Sequence, residues 1–281
     1  MRTLGAVLCA VLSVGQTARP TFTSGVEGVR VDVLVTEGGR PVSGLTAADF
    51  ELRDSGVRQT VTLEDQRDLP VAVVLTLDLS ASLEPATLEA LRRAGRSMLD
   101  ALVPGDAAAL LTFSHRVVQE VPLTEALDRV RAGLNVTPTR GDTSLADAAL
   151  AALLLGDAGG GRTLIVLFSD GVDTASFQRQ EVVVETARRV NGVVYAVWAG
   201  DGDTGFLRDL TLATGGRVLD ISRAGGPGPA FLQILSEFRS RYLLTFTPTG
   251  VAPGGWHPLD VRVQRRGWRL EARPGYFSAT P

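Results

Sequence analysis

The chain has 281 residues, 44% hydrophobic and 21% charged, which is the composition of a globular protein with a packed core. Its net charge is −3, and the basic residues are scattered along the chain, which argues against a nucleic-acid-binding face. Every basic residue is an arginine, so a Schiff-base lysine or a P-loop lysine is excluded.

Residues 1–18 have the pattern of a secretory signal peptide. Arg2 gives a positive start, residues 4–14 form a short apolar segment, and small residues follow as far as Ala18. The run is shorter than the roughly 20 residues of a membrane span, and the alternative to cleavage is a retained N-terminal anchor. We expect an exported protein, secreted or in the periplasm or cell envelope. Its mature chain would lack Cys9 and any membrane span.

Residues 21–70 are predicted to be an N-terminal β segment. Valine alternates with other residues from Val29 to Val35, and this period of two indicates a half-buried strand. Glycine-containing turns separate it from short strands predicted at Phe50–Arg53 and Gln59–Leu63.

Apolar strands alternate with amphipathic helices over residues 71–241. The predicted strands are Val71–Leu77, Ala107–Phe113, Thr163–Phe168 and Val193–Trp198, with a short antiparallel edge strand at His115–Pro122. The predicted helices are Pro85–Leu102, Leu145–Leu155, Gln178–Val190, Phe206–Ala213 and Pro229–Arg239. Continuous apolar strands are typical of sheets covered on both faces. The alternation therefore predicts an α/β fold with a doubly wound, mostly parallel sheet.

Residues 242–281 return to β structure. Strands are predicted at Leu243–Thr247, Leu259–Val263, Trp268–Ala272 and Tyr276–Phe277. Each flank is too short to bury a core comfortably alone. We therefore expect both flanks to pack together as one small β-sandwich-like domain, with the α/β region inserted between them.

Side chains with oxygen ligands follow the first α/β strand. Asp78, Ser80 and Ser82 alternate where the chain turns, at the carboxyl end of a strand where open α/β sheets bind ligands. A carboxylate and two hydroxyls suit hard cations such as Mg²⁺, Mn²⁺ or Ca²⁺. Taken alone, this short pattern is also explained by capping and turn formation.

Two further segments add to this pattern. Thr143, in the segment Gly141–Ser144, precedes a predicted helix, and Asp170, in Ser169–Gly171, follows a predicted central strand. Thr143 lies 65 residues after Asp78, and Asp170 lies 27 residues after Thr143. In this order and spacing the set resembles the metal-ion-dependent adhesion site (MIDAS) of von Willebrand factor type A (VWA) domains.

The flanks extend the resemblance. The segments Gly39–Leu45, Tyr242–Pro248 and Arg273–Phe277 resemble those beside the VWA domain in bacterial exported VWFA-related proteins. The resemblance implies a doubly wound, Rossmann-like VWA domain within residues 71–241 and a binding function in place of catalysis.

The resemblance also implies how a divalent cation would be held. The hydroxyls of Ser80, Ser82 and Thr143 would contact the ion, and Asp78 and Asp170 would act largely through bridging waters. The expected ion is Mg²⁺, with Mn²⁺ or Ca²⁺ as alternatives. The expected partner is a protein or extracellular ligand that presents an Asp or Glu carboxylate to the ion.

Two further aspartates near the motifs are expected to have different roles. Asp142 stands where members of the family often have glycine, and a further carboxylate there could raise metal affinity or compete with the partner's acid. Asp173 is expected to accept hydrogen bonds within its loop and not to bind the ion.

Two other functional classes remain open. A metal-dependent hydrolase would need a base, and neither His115, predicted as an edge residue, nor His257, predicted as a loop residue, lies in the three motifs. A metal-independent scaffold of an envelope assembly would use the helices or the β flanks as its interface. Trp198, Trp256 and Trp268 are assigned to core packing.

Overall fold

The strands and helices follow one another in the order expected from the alternating patterns. The computed structural model describes residues 28–64, 69–80, 85–137, 141–158, 161–200, 202–265 and 267–278. The predicted signal segment and Ser82 lie outside the described residues. None of the helices within these ranges is long and apolar enough to cross a membrane.

The strands are β1 (Val29–Glu37), β2 (Arg40–Pro41), β3 (Phe50–Asp54), β4 (Val57–Gln59), β5 (Thr62–Glu64), β6 (Val71–Asp78), β7 (Ala107–Phe113), β8 (Val117–Thr124), β9 (Arg162–Ser169), β10 (Gly192–Trp198), β11 (Val218–Asp220), β12 (Tyr242–Phe246), β13 (Gly255–Val263), β14 (Trp268–Glu271) and β15 (Gly275–Ser278). The helices are α1 (Pro85–Asp100), α2 (Leu127–Gly133), α3 (Leu145–Ala158), α4 (Gln180–Ala187), α5 (Gly205–Thr214), α6 (Ile221–Ala224) and α7 (Pro227–Arg239).

A six-stranded sheet forms the centre of the α/β region. Its strand order is β11-β10-β9-β6-β7-β8, with every neighbouring pair parallel except β7 and β8. Helices α1 and α7 pack on one face, and α3, α4 and α5 pack on the other. All eight residues of β6 are buried because that strand lies between two others and beneath helices on both sides. The predicted doubly wound α/β fold is confirmed.

The flanks form two facing antiparallel sheets. One has the order β14-β1-β12-β5, with β2 also paired to β1, and the other has the order β15-β13-β3-β4. Each sheet takes strands from both ends of the chain, and Val31 of β1 pairs with Leu244 of β12. The apolar side chains between the sheets form one core, to which Val33 and Phe246 belong. The expected sandwich around an inserted α/β region is therefore present.

Buried arginines join the α/β region to the sandwich. Arg162, at the start of β9, contacts the Asp32 carboxylate of β1 at 2.9 Å and the Phe238 carbonyl at 2.8 Å. Arg241 is also buried, and it donates to the Asp32 carbonyl on β1 at 3.4 Å and to the Gly215 carbonyl in the α/β region. Since buried charges are stable only when paired, these contacts fix how the two parts meet.

The prediction for residues 59–63 was wrong. The chain forms two short strands there, β4 and β5, which lie in different sheets of the sandwich. The Gln59 side chain donates to the Thr249 carbonyl and accepts from the Thr249 backbone N–H, at 2.9 and 3.0 Å. These long-range bonds hold Gln59 in β4, and the next residues cross to the other sheet.

His257 was also wrongly predicted as a loop residue. It lies within β13 and is buried, with its Nδ1 2.9 Å from the Asp54 carboxylate and 3.3 Å from the Tyr276 hydroxyl. The Tyr276 hydroxyl donates to the same carboxylate at 2.8 Å. Hydrogen bonds to Asp54 and Tyr276, on two other strands, satisfy the buried ring of His257. The local sequence Gly-Trp-His-Pro contains no sign of these distant partners.

Candidate metal centre

The first two residues of the predicted set sit where β6 ends. Asp78 is the last residue of β6, and both it and Ser80 are buried. The Asp78 Oδ1 accepts a hydrogen bond from the Ser80 backbone N–H at 2.9 Å. The Leu79 N–H donates to the Phe113 carbonyl at 2.8 Å, so the chain stays tied to β7 as it leaves the sheet. This turn keeps both side chains at the carboxyl edge.

The neighbouring strand β9 ends in a second acidic turn. Ser169 is fully buried, and its hydroxyl donates to the Asp78 Oδ2 at 3.1 Å while accepting from the Gly171 N–H at 3.1 Å. The Asp170 carbonyl accepts from the Trp198 indole N–H at 3.0 Å. These bonds fix the Asp170 turn against the end of β6.

Ser169 and Trp198 therefore have roles that the sequence analysis did not assign. Ser169 links the two acidic turns, and its position directly before Asp170 at a strand end was an available signal. Trp198 was assigned to core packing, yet its indole N–H holds the backbone of the second turn. Only the pairing of β10 beside β9 brings that ring to the site.

Thr143 is buried on the loop before α3. Its N–H donates to the Thr174 hydroxyl at 2.9 Å, and its carbonyl accepts from the N–H groups of Thr174 and Ala175 at 2.9 and 3.0 Å. The next residue, Ser144, donates its N–H to the Ser114 carbonyl at 2.7 Å. The Thr143 loop is thus held between the end of β7 and the loop that follows Asp170.

The same following loop caps α3. Asp173 accepts from the N–H groups of Ala146 and Ser176 at 3.2 Å, which is the hydrogen-bonding role expected for it. The Ser176 hydroxyl accepts from the N–H groups of Ala146 and Asp147 at 3.0 and 3.2 Å. The otherwise unpaired donors at the start of the helix are satisfied by a segment from another part of the sheet edge.

Two acidic groups close together make this edge electrostatically unfavourable without a cation. Burial, with a smaller effect from the charge of Asp170, raises the pKa of Asp78 to about 6 from its ordinary value, despite hydrogen bonds from Ser80 and Ser169 that lower it. In the part of the chain that the structure describes, no three His, Cys, Asp or Glu side chains gather as a metal site. A cation here would therefore need hydroxyl ligands, and buried Ser80 and Thr143 fit that requirement.

Four of the five predicted residues thus lie on three loops that are tied together, and Ser82 lies outside the described residues. Asp142 is exposed beside Thr143. His115 is exposed after β7, as expected, but it packs on the Thr143 loop: a Cβ added to Gly141 would lie 3.0 Å from the His115 Nδ1.

Gly171 is expected to be essential to the shape of the Asp170 turn. Its φ is +89°, and an added Cβ would lie 2.7 Å from the Asp203 carbonyl oxygen. Gly171→Ala should therefore lower the free energy of unfolding by about 1–3 kcal/mol, since an L-residue is strained at this φ and the neighbouring backbone must shift. Urea denaturation measures this. Gly225→Ala, also at positive φ (+80°) but with open space around the added Cβ, separates strain from the clash.

Comparisons with known proteins agree with this architecture. Residues 73–172 match the family described as von Willebrand factor type A domain. No match was found among curated proteins. An aerotolerance-related membrane protein from Bacteroides fragilis is similar in structure, with TM-score 0.50 and 15% identity over 60% of this chain and 98% of that one.

Two other solved structures share the fold. Proximal thread matrix protein 1 from the mussel byssus, with a zinc-occupied MIDAS motif, gives TM-score 0.52 and 16% identity over 66% of this chain. This chain spans 49% of that protein. The PilB minor pilin from Streptococcus sanguinis gives TM-score 0.50 and 11% identity over 61% of this chain and 62% of its own.

The fold and the edge of the sheet define a class of open α/β domains that bind ligands at the carboxyl ends of their strands. Residues 73–172 match von Willebrand factor type A domains in sequence, the α/β region has their fold, and antiparallel sheets flank it. VWA domains are generally binding or adhesion modules.

Proposed function

We propose that this chain is an exported binding protein whose VWA domain holds one divalent cation and uses it to capture an acidic group of a protein partner. The residues that would hold the cation are Asp78, Ser80, Ser82, Thr143 and Asp170. Mg²⁺ is the proposed ion, with Mn²⁺ or Ca²⁺ as alternatives. The protein would work in the cell envelope or outside the cell, without catalysing a reaction.

One geometric observation carries this proposal. Two carboxylate turns from neighbouring strands are joined through Ser169, and the loop with buried Thr143 is bonded to the segment after the second turn. Side chains with oxygen atoms, from three separate parts of the sequence, thus lie at one edge of the sheet. The hydrogen bonds that link them are separate from those that pair the strands. A zinc-occupied MIDAS in the structurally similar mussel protein supports the choice of a divalent cation.

The proposed ligands also favour a cation that can bind a partner over a cation that is fully coordinated by the protein. Hydroxyl ligands bring no charge, so only the two aspartates would offset the charge of the cation. A bound Mg²⁺ would supply a hard, positively charged centre that accepts a further carboxylate oxygen. Asp78 and Asp170 are held by Ser80, Ser169 and backbone N–H groups, which keeps both carboxylates in place before any cation arrives.

Divalent cations are expected to stabilise the folded chain. At a metal concentration 100 times the dissociation constant, the gain is about 2.7 kcal/mol, which for a chain of this size raises Tm by roughly 5–10 °C. Scanning calorimetry in the presence of Mn²⁺, Mg²⁺ or Ca²⁺, against a chelator, measures the gain and ranks the ions. Identical melting curves in all conditions would contradict the proposal and favour the metal-independent scaffold.

A further inference from the structure

The most exposed apolar side chain among the described residues stands beside the candidate metal centre. Phe177 is 93% exposed, whereas the other exposed large hydrophobic residues lie between 37% and 64%. Val172, on the same loop, is 42% exposed. An aromatic ring left this open to water keeps nearly all of its apolar area available for burial against a partner.

Phe177 is close to Thr143 along a bonded path. The Ala175 N–H donates to the Thr143 carbonyl at 3.0 Å, and Phe177 is only two residues further along the chain. Two residues span at most about 7 Å, so the backbone of Phe177 lies close to the Thr143 loop of the proposed metal site.

The backbone that carries Phe177 is held firmly. Asp147, in the first turn of α3, accepts from the N–H groups of Phe177 and Gln178 at 3.0 and 2.9 Å. The Ser176 hydroxyl accepts from the N–H groups of Ala146 and Asp147 on the same helix. The ring is therefore exposed on a loop whose backbone is held by the helix that starts next to Thr143.

We propose that Phe177, with Val172, is the apolar contact of the partner-binding surface beside the metal centre. This inference rests on the proposed metal-dependent capture. The partner is inferred to be an extended peptide segment that carries an apolar side chain within about three residues of its Asp or Glu. An extended chain advances about 3.3 Å per residue, so three residues reach roughly 10 Å, which is more than the two-residue span of about 7 Å between Ala175 and Phe177.

Charge and size both favour such a segment. Asp78, Asp170 and exposed Asp142 bring carboxylates to the site, so the acidic residue of such a segment would bind there only through the cation. One phenylalanine and a partly exposed valine offer too little area for a broad protein interface, but enough to cover one or two side chains of a peptide. The ring would add affinity that the screened ionic contact lacks.

A random peptide library displayed on phage tests the inference. The full chain is immobilised, the library is bound in Mn²⁺, and bound phage are eluted with a chelator. We expect the eluted sequences to be enriched in Asp or Glu, with an aromatic or aliphatic residue within about three positions. Enrichment of acidic residues without any apolar neighbour would overturn the inference while leaving the metal-dependent capture intact.

Substitutions locate the contact. Phe177→Ser should weaken binding of a selected synthetic peptide by about tenfold to 100-fold, the range expected for losing one buried aromatic contact. Leu154→Ser is the matched control, because Leu154 is 54% exposed near the far end of α3, and it should leave affinity unchanged. Stabilisation by Mn²⁺ should be the same in both variants and in the wild type.

The outcomes separate the two levels of the proposal. Unchanged peptide affinity in Phe177→Ser, with Mn²⁺ stabilisation intact, rejects the role of Phe177 alone. Absence of Mn²⁺ stabilisation in the wild type rejects the metal site. Mn²⁺ stabilisation without any chelator-eluted peptide rejects capture of an acidic segment, and the role of Phe177 with it.

Discussion

Replacing Asp78 with asparagine is expected to stabilise the metal-free protein at neutral pH and to abolish its response to divalent cations. Asp78 is almost fully buried next to Asp170, and the cost of keeping it ionised raises its pKa to about 6. Asparagine removes that charge but can still accept from the Ser80 N–H and bond to the Ser169 hydroxyl. The variant should thus keep the local geometry of the turn.

The pH dependence of this effect has a definite sign. A carboxyl whose pKa is higher in the folded than in the unfolded chain holds its proton more tightly when folded. The contribution of Asp78 to metal-free stability is therefore greatest below about pH 4 and is lost as the pH rises to about 6. Between those limits the wild type should lose roughly 2–3 kcal/mol relative to Asp78→Asn.

Urea denaturation between pH 4 and pH 8, with a chelator and then with Mn²⁺, measures both the pH-dependent stability of the metal-free protein and its response to the cation. The wild type should gain stability from Mn²⁺ and Asp78→Asn should not, so the difference between them at about pH 7.5 should close when metal is added at about 100 times the dissociation constant. Asp209→Asn, the same change on an exposed position of α5, should follow the wild type throughout. A Mn²⁺ response in Asp78→Asn equal to that of the wild type would show that the ion binds elsewhere.

Arg162→Ala is expected to destabilise the chain by about 2–4 kcal/mol, and roughly 5–15 °C in Tm. The Arg162 side chain is 6% exposed and contacts Asp32 at 2.9 Å, and its guanidinium lies 4.5 Å from the centre of the Phe238 ring. Removing it leaves the Asp32 carboxylate and the Phe238 carbonyl without this partner where the α/β region meets the sandwich. The partial exposure of Asp32 keeps the loss below that of a fully buried pair.

A double-mutant cycle isolates the ion pair. The Arg162→Ala and Asp32→Ala double variant should be less destabilised than the sum of the single variants, with a coupling of about 1–3 kcal/mol. Arg262→Ala removes the exposed contact with Asp260 and should leave Tm unchanged. Strict additivity of the Arg162 and Asp32 losses would mean that packing alone joins the two parts of the molecule.

The molecule therefore has two parts, and buried arginine contacts help to join them. We propose that residues 71–241 form the VWA domain and that residues 21–70 and 242–281 together form the sandwich. The contacts of Arg162 with β1 and α7 lie at the start of β9, whereas Asp170 follows the end of that strand. Loss of these contacts is expected to affect stability more than metal binding.

The sequence located the long, strongly patterned elements within a few residues. β7 begins at Ala107 and ends at Phe113 as predicted, because an apolar run with a polar residue at each end has one favourable placement in a covered sheet. Helix α2, strand β11 and helix α6 were not predicted. They have seven, three and four residues, too few for a periodic pattern to be recognised.

Local periodicity and residue type were enough to predict the alternating α/β region, the β flanks and the oxygen-bearing residues at the ends of strands. Which side chains meet is visible only in the folded chain. Ser169 and Trp198 reach the site, and His257 finds Asp54, because strands distant in sequence lie side by side. The exposure of Phe177 likewise follows from a loop held by Asp147, a contact between residues 30 positions apart that no local pattern contains.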